Sequence, residues 1–355
     1  MGNLTDFNDG PIVNAIFDLY KKRGDAEKPR AYLGGSAIGD DCSRKLWYGF
    51  RWASAPAFTG RLYRLFDTGH HAEPRFIKDL RDIGVEVWER DPKTGKQFAF
   101  SDVYGHFRGN TDGMGRKIPG GGAKDHLLEF KTHGSKSFAE LTKKGIVEAK
   151  PMHWIQMNTY MGWAGYERAV YGAVNKDTED LHFERLKFDP LVFMQTQAKA
   201  EAIIFAPLPP SRLSDDPAFY KCKMCDHADV CHGKRVPQKS CRTCVHATPT
   251  NTGDGAWHCA RFDIEPTHDQ QLTGCMAHLP LPPLLQYAEP EDAGEDWILF
   301  RHKKTMLQFV VGTVVPAELI DLPLYSSADI SAAPGAAITD PHVTDLMTTF
   351  GATFK

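Results

Sequence analysis

The cysteines constrain the fold of this chain more than any other feature of its sequence. Seven of the eight cysteines fall within residues 222–275, and prolines stand on both sides of this region. A segment of about forty residues rarely builds a sufficient hydrophobic core and usually needs a metal or a disulfide to fold. The cysteine pattern therefore predicts a small metal-binding module that follows a larger main domain.

The bulk composition favours a cytoplasmic protein without a membrane partner. The 355 residues include no apolar run of about 18 residues, the length that a membrane span requires. The first nine residues are polar and lack the pattern of a signal peptide. In the cytoplasm, cysteines are more often metal ligands than disulfides.

The hydrophobic pattern predicts an α/β core with a mixed central sheet. Helical spacing is expected over residues 11–30, 61–82, 136–145, 151–165 and 190–205. Strand patterns are expected over residues 85–88, 97–100, 104–109, 125–131, 168–174 and 181–186. A run of strands that is followed by a helix and further strands is typical of this class.

Three residues have the types and the spacing of a metal-dependent nuclease site. Asp112 lies in a turn after a predicted strand, and Glu129 and Lys131 lie on the next strand. Alternate side chains of a strand point to the same face, so Glu129 and Lys131 are expected side by side. Magnesium prefers oxygen ligands and keeps several waters, so two or three carboxylates are sufficient protein ligands.

Gln156 and Tyr160 are four residues apart on a later predicted helix and therefore share one face. Alone, this pair is typical of a half-buried helix whose polar groups are satisfied. A Glu-x-Lys triplet alone is equally common as a surface ion pair. Phosphodiester hydrolysis is indicated because the triplet and the Gln156/Tyr160 pair follow Asp112 in this order and at this spacing.

The order of these motifs resembles the PD-(D/E)XK nuclease superfamily, specifically its RecB-like exonuclease branch, across residues 30–235. The matching motifs are Gly69-His70-His71-Ala72-Glu73, Gly109-Asn110-Thr111-Asp112, Glu129-Phe130-Lys131 and Gln156-Met157-Asn158-Thr159-Tyr160. The resemblance implies a restriction-endonuclease-like core with a mixed central sheet. It also implies a Mg²⁺- or Mn²⁺-dependent DNA exonuclease of recombination, repair or degradation, in a phage or a bacterium.

The resemblance further implies a role for each motif residue. Glu73, Asp112 and Glu129 would bind the divalent metal, and the backbone carbonyl of Phe130 would assist. Lys131 would orient or deprotonate the attacking water. Gln156 and Tyr160 would position the DNA backbone or the lysine. Arg44 would contact a phosphate of the DNA.

The first motif is open to two interpretations. Phage recombination exonucleases of the superfamily carry Gly-x-x-x-Glu, which matches Gly69 and Glu73, whereas RecB-type domains use a histidine. Glu73 is the favoured metal ligand, and His70 is expected to be an auxiliary ligand or a phosphate contact. His71 is expected to be structural or exposed.

Four cysteines form a first quartet. Cys222, Cys225 and Cys231 are close in sequence but supply only three thiolates, and Cys42 is far away. A distant cysteine with such a triplet resembles the iron–sulfur nucleases of the superfamily, of the AddB type and of CRISPR adaptation. That resemblance implies a structural [4Fe–4S] cluster on all four. The alternative is a zinc site on the three close cysteines with His227 or His232, in which case Cys42 is a buried apolar residue.

The second quartet is Cys241, Cys244, Cys259 and Cys275, whose spacing suits a zinc-ribbon-like module. Histidines stand nearby as alternative ligands: His246, His258 and His278. The predicted division of the chain is 1–235 for the nuclease domain, 236–283 for this module, and 284–355 for a partly ordered extension with a mobile tail.

DNA is the expected partner, although the net charge of −3 indicates neither for nor against nucleic acid. Basic and aromatic residues alternate between 44 and 64, where they could contact phosphates and stack on bases; ordinary helix packing is the alternative. These residues are Arg44, Lys45, Trp47, Tyr48, Arg51, Trp52, Arg61, Tyr63 and Arg64.

The sequence contains no phosphate-binding loop of a helicase motor, so processive work on duplex DNA would need a ring-like homo-oligomer or a partner. A recombination protein or a single-strand-binding protein is a possible second partner. The alternative function is a non-catalytic nucleic-acid or protein-binding factor on a nuclease-like scaffold. A redox or radical enzyme is disfavoured, because Cys42 lies far from the other three cysteines.

Overall fold

The computed structural model describes residues 10–56 and 58–332. The strands are β1 (Leu33–Gly34), β2 (Glu86–Trp88), β3 (Ala99–Asp102), β4 (Phe107–Asn110), β5 (Gly113–Arg116), β6 (His126–His133), β7 (Arg168–Asn175), β8 (Leu181–Lys187), β9 (Ala247–Pro249), β10 (Trp257–Cys259), β11 (Ala288–Ala293), β12 (Trp297–His302), β13 (Gln308–Gly312) and β14 (Leu324–Tyr325). The helices are α1 (Pro11–Asp25), α2 (Ser43–Phe50), α3 (Gly60–Asp82), α4 (Ser135–Ala149), α5 (Pro151–Ala164), α6 (Pro190–Ile204), α7 (Tyr220–Lys223), α8 (Ala228–Cys231), α9 (His268–Thr273) and α10 (Ser327–Ala332).

The central sheet has five strands in the order β2-β5-β6-β7-β8. β6 and β7 run parallel, and the other neighbours are antiparallel. β7 is buried along nearly its whole length, because helices cover both faces of the sheet. α3 covers one face with Phe76, Ile77 and Leu80, while α4 and α5 cover the other. The predicted α/β class with a mixed central sheet is confirmed.

Helix-capping residues determine where the two helices that carry motif residues begin. Thr59 precedes α3, and its side chain accepts a hydrogen bond from the backbone of Leu62. Pro151 occupies the first turn of α5, where its missing N–H is not needed. α5 ends at Gly165, whose φ of 68° is the left-handed conformation that glycine adopts without strain. These boundaries place Glu73 within α3 and Gln156 within α5.

Among the elements that differ from the prediction are α1 and β5. α1 ends at Asp25 rather than near residue 30, because Pro29 disfavours helical backbone at the residue before it. β5 was not predicted, since its sequence Gly-Met-Gly-Arg lacks the β-branched and aromatic residues that are typical of strands. Pairing with β2 and β6 nevertheless makes it a strand.

The cysteine-rich region shares a hydrophobic core with the start of the chain. Trp47 and Phe50 of α2 pack in one cluster with Trp257 of β10 and with Cys244. Arg242 lies fully buried among them, with its guanidinium 3.8 Å from the centre of the Trp52 ring. The boundary at residue 236 stays a prediction, and these contacts cross it.

The last described part is a four-stranded sheet in the order β11-β12-β13-β14, with its own buried cluster around Phe300 and Val311. Residues 333–355, where a mobile tail was predicted, lie outside the described residues. Among the residues that are described, no helix is long and apolar enough to cross a membrane.

Candidate active site

Asp112 lies beside Glu129 and Lys131 because of the way two strands end and begin. Thr111 and Asp112 are the two residues that connect β4 to β5. β5 pairs with β6 from Gly113 opposite Leu128, so the turn reaches the middle of β6. There the Asp112 Oδ2 atom accepts a hydrogen bond from the backbone N–H of Phe130, at 2.7 Å. This bond fixes the carboxylate on the strand that carries the other two residues.

Glu129 is the most constrained residue of the site. Its side chain is 2% exposed, and its Oε1 atom accepts hydrogen bonds from Lys131 Nζ and from Gln156 Nε2, the latter at 2.6 Å. Its Oε2 atom is buried and has no hydrogen-bond partner. Buried polar atoms are nearly always paired, so an unpaired carboxylate oxygen indicates a place for a cation or a donor.

Lys131 is held in its charged form by the carboxylates around it. Burial alone would lower its pKa, but Glu129, Asp112 and Glu73 outweigh burial and raise the pKa above the ordinary lysine value. A lysine in that state donates hydrogen bonds and stabilises negative charge. The resemblance implies that Lys131 orients or deprotonates the attacking water, and both roles stay predictions.

Burial, by contrast, disfavours the charged forms of the three carboxylates, Glu129, Asp112 and Glu73. Burial raises the pKa of Glu129 to about 7, with Asp112 adding to the effect. Burial also raises the pKa values of Asp112 and of Glu73 on α3. His70 is close enough to favour the charged forms of both Asp112 and Glu73. A divalent cation among these carboxylates would relieve their mutual repulsion.

Within the part of the chain that the structure describes, no group of three or more His, Cys, Asp or Glu side chains is arranged to hold a metal ion. Glu73, Asp112 and Glu129 are therefore not assembled as a closed ligand cage. Magnesium does not need one, since one or two carboxylates with phosphate oxygens and waters commonly bind it. Asp112 and the unpaired oxygen of Glu129 fit such a site.

The Tyr160 ring is packed in the interior beside the site. It is 2% exposed and lies against Gly109 and Gly35. A Cβ atom at Gly109 would stand 2.5 Å from the ring, closer than side chains pack. The expectation that Tyr160 positions the DNA backbone or the lysine stays a prediction, and burial of the ring favours the lysine. The glycine of the Gly-x-x-Asp motif is needed because the tyrosine of the Gln-x-x-x-Tyr motif fills its space.

The interpretation of residues 44–64 as a DNA-binding face is largely wrong. Arg44 is 9% exposed, and its guanidinium donates to Tyr48 Oη and to the carbonyl of Pro210. Trp47 and Tyr48 are buried because one face of α2 packs into the core. Trp52, which follows α2, is buried beneath the Arg242 guanidinium. Tyr63 alone of these rings lines a cavity beside the acidic residues.

That cavity has a volume of about 1010 Å³. It lies between α1, α3 and β6, and Glu73, His70 and Lys131 line it. Two aromatic residues of its wall, Phe58 and Phe66, were not among the predicted site residues. The helical spacing of Tyr63, Phe66, His70 and Glu73 was a signal for Phe66, whereas Phe58 precedes α3 and has no such signal.

The first cysteine quartet lines one cavity of about 500 Å³: Cys42, Cys222, Cys225 and Cys231. Cys42 reaches it as the N-cap residue of α2, where its sulfur accepts from the backbone of Lys45. Of the two alternative ligands, His227 bonds to Ser54 Oγ, whereas the buried Nε2 atom of His232 is unpaired. None of the eight cysteines, all of which are among the described residues, forms a disulfide.

The second quartet lines a much smaller cavity of about 10 Å³, together with His246 and His278: Cys241, Cys244, Cys259 and Cys275. His258 instead pairs with Asp263. Burial and the neighbouring thiols raise the pKa of Cys241 to about 11. Among the described residues, the cysteines of neither quartet are close enough together to hold a metal ion. Both ligand sets therefore stay predictions.

No family model and no curated protein matches this chain. Among solved structures, SSO0001 is similar over 62% of this chain and 95% of its own, with 14% identity and a TM-score of 0.38. An alkaline exonuclease (LHK-Exo) from Laribacter hongkongensis is similar over 52% of this chain and 90% of its own, with 15% identity and a TM-score of 0.36. The structure of LHK-Exo in complex with dAMP is similar over 54% of this chain and 90% of its own, with 16% identity and a TM-score of 0.37. Membership of the nuclease superfamily stays a prediction at these values.

Proposed function

We propose that this chain is a divalent-metal-dependent DNA exonuclease. The observation that carries the proposal is the environment of Glu129, a buried carboxylate beside Asp112 with one oxygen bonded to Lys131 and Gln156 and the other unpaired. A binding scaffold has no need for such a half-satisfied carboxylate, which destabilises the fold until a cation binds. That the proposed nuclease is an exonuclease rests on the order and spacing of the sequence motifs.

Asp112 and Glu129 would hold the Mg²⁺ or Mn²⁺ ion, with Glu73 and the carbonyl of Phe130 as further proposed ligands. When bound, the ion supplies charge neutralisation and lowers the pKa of a water. Lys131, as a cation, stabilises the negative charge that develops on the phosphate. Gln156 donates to Glu129 and keeps its carboxylate in one orientation.

The two cysteine quartets are proposed as structural metal sites. Cys42 and the triplet of Cys222, Cys225 and Cys231 would hold a [4Fe–4S] cluster; that they share one cavity supports this assignment. The second quartet would hold Zn²⁺, and the small size of its cavity supports a single ion over a cluster.

Digestion of end-labelled single- and double-stranded DNA tests the proposed function. With Mg²⁺ present, Asp112→Ala and Lys131→Ala are expected to lower the rate of hydrolysis by about 100-fold or more, because each removes charge stabilisation. Lys93→Ala, in an exposed turn between β2 and β3, serves as the matched control and should hydrolyse at the wild-type rate.

Equal rates for wild type, Asp112→Ala and Lys131→Ala would contradict the proposal. Binding of DNA without any hydrolysis, unchanged when Mg²⁺ is removed and in both variants, would favour the non-catalytic binding factor instead.

A further inference from the structure

Three aromatic rings line the cavity beside Glu73, and the proposed hydrolysis gives them no role. Phe58, Tyr63 and Phe66 meet edge to face, with ring centres 5.3–6.3 Å apart. None of them belongs to a buried hydrophobic cluster of the described residues, and Phe66 is 43% exposed. Exposed apolar surface inside a cavity commonly marks a binding site.

Two of the rings and one acidic residue, Glu73, lie on the same face of α3. Along α3, Tyr63, Phe66, His70 and Glu73 are spaced by three, four and three residues, which places them in one row. All four line the large cavity. Seven residues of helix separate Phe66 from Glu73, a rise of about 10 Å. A DNA strand covers that distance in about three stacked nucleotides.

The opposite wall holds the rings in place. α1 has no buried residue, and two tyrosines connect it to α3: Tyr20 donates to Asp67, and Tyr63 donates to Asp25. At Gly24 a Cβ atom would stand 2.1 Å from the Tyr63 ring, so the absent side chain lets α1 lie against that ring. The Tyr63 ring is therefore fixed before any ligand arrives, and Phe58 and Phe66 pack edge to face against it.

The charges of the cavity favour bases over a row of phosphates. Arg23, Arg30 and Lys176 line it, but so do Glu27 and Asp67. Duplex DNA presents phosphates on its outside and keeps its bases stacked within, so it would meet a wall of mixed charge. An unpaired strand presents base faces, which aromatic rings bind without sequence preference.

We infer that Phe58, Tyr63 and Phe66 form a stacking site for unpaired nucleobases, which makes a single-stranded or frayed DNA end the preferred substrate. This inference rests on the proposed function, because it assumes that the acidic residues cut DNA. Bases stacked on the rings hold the strand so that a phosphate about three nucleotides away lies at Glu73, Asp112 and Glu129.

The test measures binding of an oligonucleotide that carries 2-aminopurine three nucleotides from its end, with Ca²⁺ in place of Mg²⁺ so that the DNA stays intact. Stacking quenches 2-aminopurine fluorescence. Wild type is expected to quench it, and Phe66→Ala is expected to lose the quenching and to bind single strands about 5- to 100-fold more weakly. The affinity for blunt duplex should stay within about twofold, since stacking requires an unpaired base.

Two controls separate stacking from damage to the fold. Ile83→Ala, at the exposed C-terminal end of α3, should behave as wild type. An abasic nucleotide at the probe position should weaken binding to wild type and leave Phe66→Ala unchanged. If Phe66→Ala binds single strands as tightly as wild type, or loses duplex affinity equally, the inference is wrong.

The outcome is independent of whether the chain hydrolyses DNA. Quenching by a wild-type protein that cuts nothing would contradict the proposed function and keep the stacking site. Hydrolysis of single strands that is unaffected in both kcat and KM by Phe66→Ala would contradict the stacking site and keep the proposed function.

Discussion

Glu129 is the residue on which the site depends, because its two carboxylate oxygens have different surroundings. Lys131 and Gln156 satisfy one oxygen, and the other has no partner. Such a residue stabilises the protein only when something else supplies the missing positive charge or donor. The same arrangement that weakens the fold without a ligand therefore favours binding of a cation.

Two glycines of the sequence motifs have opposite roles. Ala at Gly109 would clash with the Tyr160 ring, so Gly109→Ala is expected to lower the free energy of unfolding by about 1–3 kcal/mol. Gly69 is inside α3 with open space around it, so Gly69→Ala is expected to raise that free energy by about 0.5–1 kcal/mol. Urea unfolding of both variants measures the difference; a loss of stability in Gly69→Ala would contradict this reading.

The sequence predicted which residues share a strand face but not what each one touches. The contact between Glu129 and Lys131 follows from alternation along β6 alone. The contact between Gln156 and Glu129 depends on how α5 crosses the sheet, which spacing within a helix does not reveal. The burial of Arg44 and Tyr160 depends on packing across the whole chain for the same reason.

Three elements are joined by one buried hydroxyl group. Tyr171 of β7 is within 2.8 Å of His133 Nε2 on β6 and of His153 Nδ1 on α5. Burial lowers the pKa of His133 to about 4 and that of His153 to about 3. In the unfolded chain both histidines take up protons near pH 6.5.

Stability is therefore expected to fall in acid. Because folding lowers both pKa values, the contribution of His133 and His153 is complete above about pH 6.5 and is lost as the pH falls to about 4. Glu129 has the opposite effect on the pH dependence of stability. Because folding raises its pKa to about 7, the folded state binds the proton more tightly and this contribution grows as the pH falls. Urea unfolding between pH 4 and 7 should show a smaller dependence on pH in His153→Gln than in wild type. Equal dependence in both proteins would contradict the assignment.

The accuracy of the predicted elements followed the strength of their patterns. α3 and α6 have long helical patterns and were predicted to within one residue of their observed ends. The central strands β6 to β8 were found because they are apolar or alternating. β5 was missed because its glycines have no pattern of their own, and only its neighbours make it a strand.

At the scale of the whole molecule, the cysteine quartets connect distant parts of the chain. Cys42, at the start of α2, lines one cavity with cysteines about 180 residues later. Their spacing alone left iron–sulfur and zinc as alternatives, because a metal is chosen by geometry that the sequence does not contain. Homo-oligomers and protein partners likewise stay predictions.

Metal analysis of an anaerobic preparation distinguishes the two quartets. The wild type is expected to contain about four irons and one zinc per chain. Cys42→Ser should lose the iron and keep the zinc, whereas Cys275→Ser should lose the zinc and keep the iron. Zinc without iron in the wild type would reject the cluster, and loss of both metals in either variant would contradict two independent sites.

We expect Glu129 to take part in metal-dependent hydrolysis, and one comparison tests this most directly. It measures nucleotide release from end-labelled DNA by wild type and by the isosteric variant Glu129→Gln, each with Mg²⁺ and with EDTA. Wild type should act only with Mg²⁺, and Glu129→Gln should be slower by about 100-fold or more, because an amide does not supply the negative charge that holds the cation. Equal rates for the two proteins, or a wild-type rate that EDTA leaves unchanged, would contradict the claim.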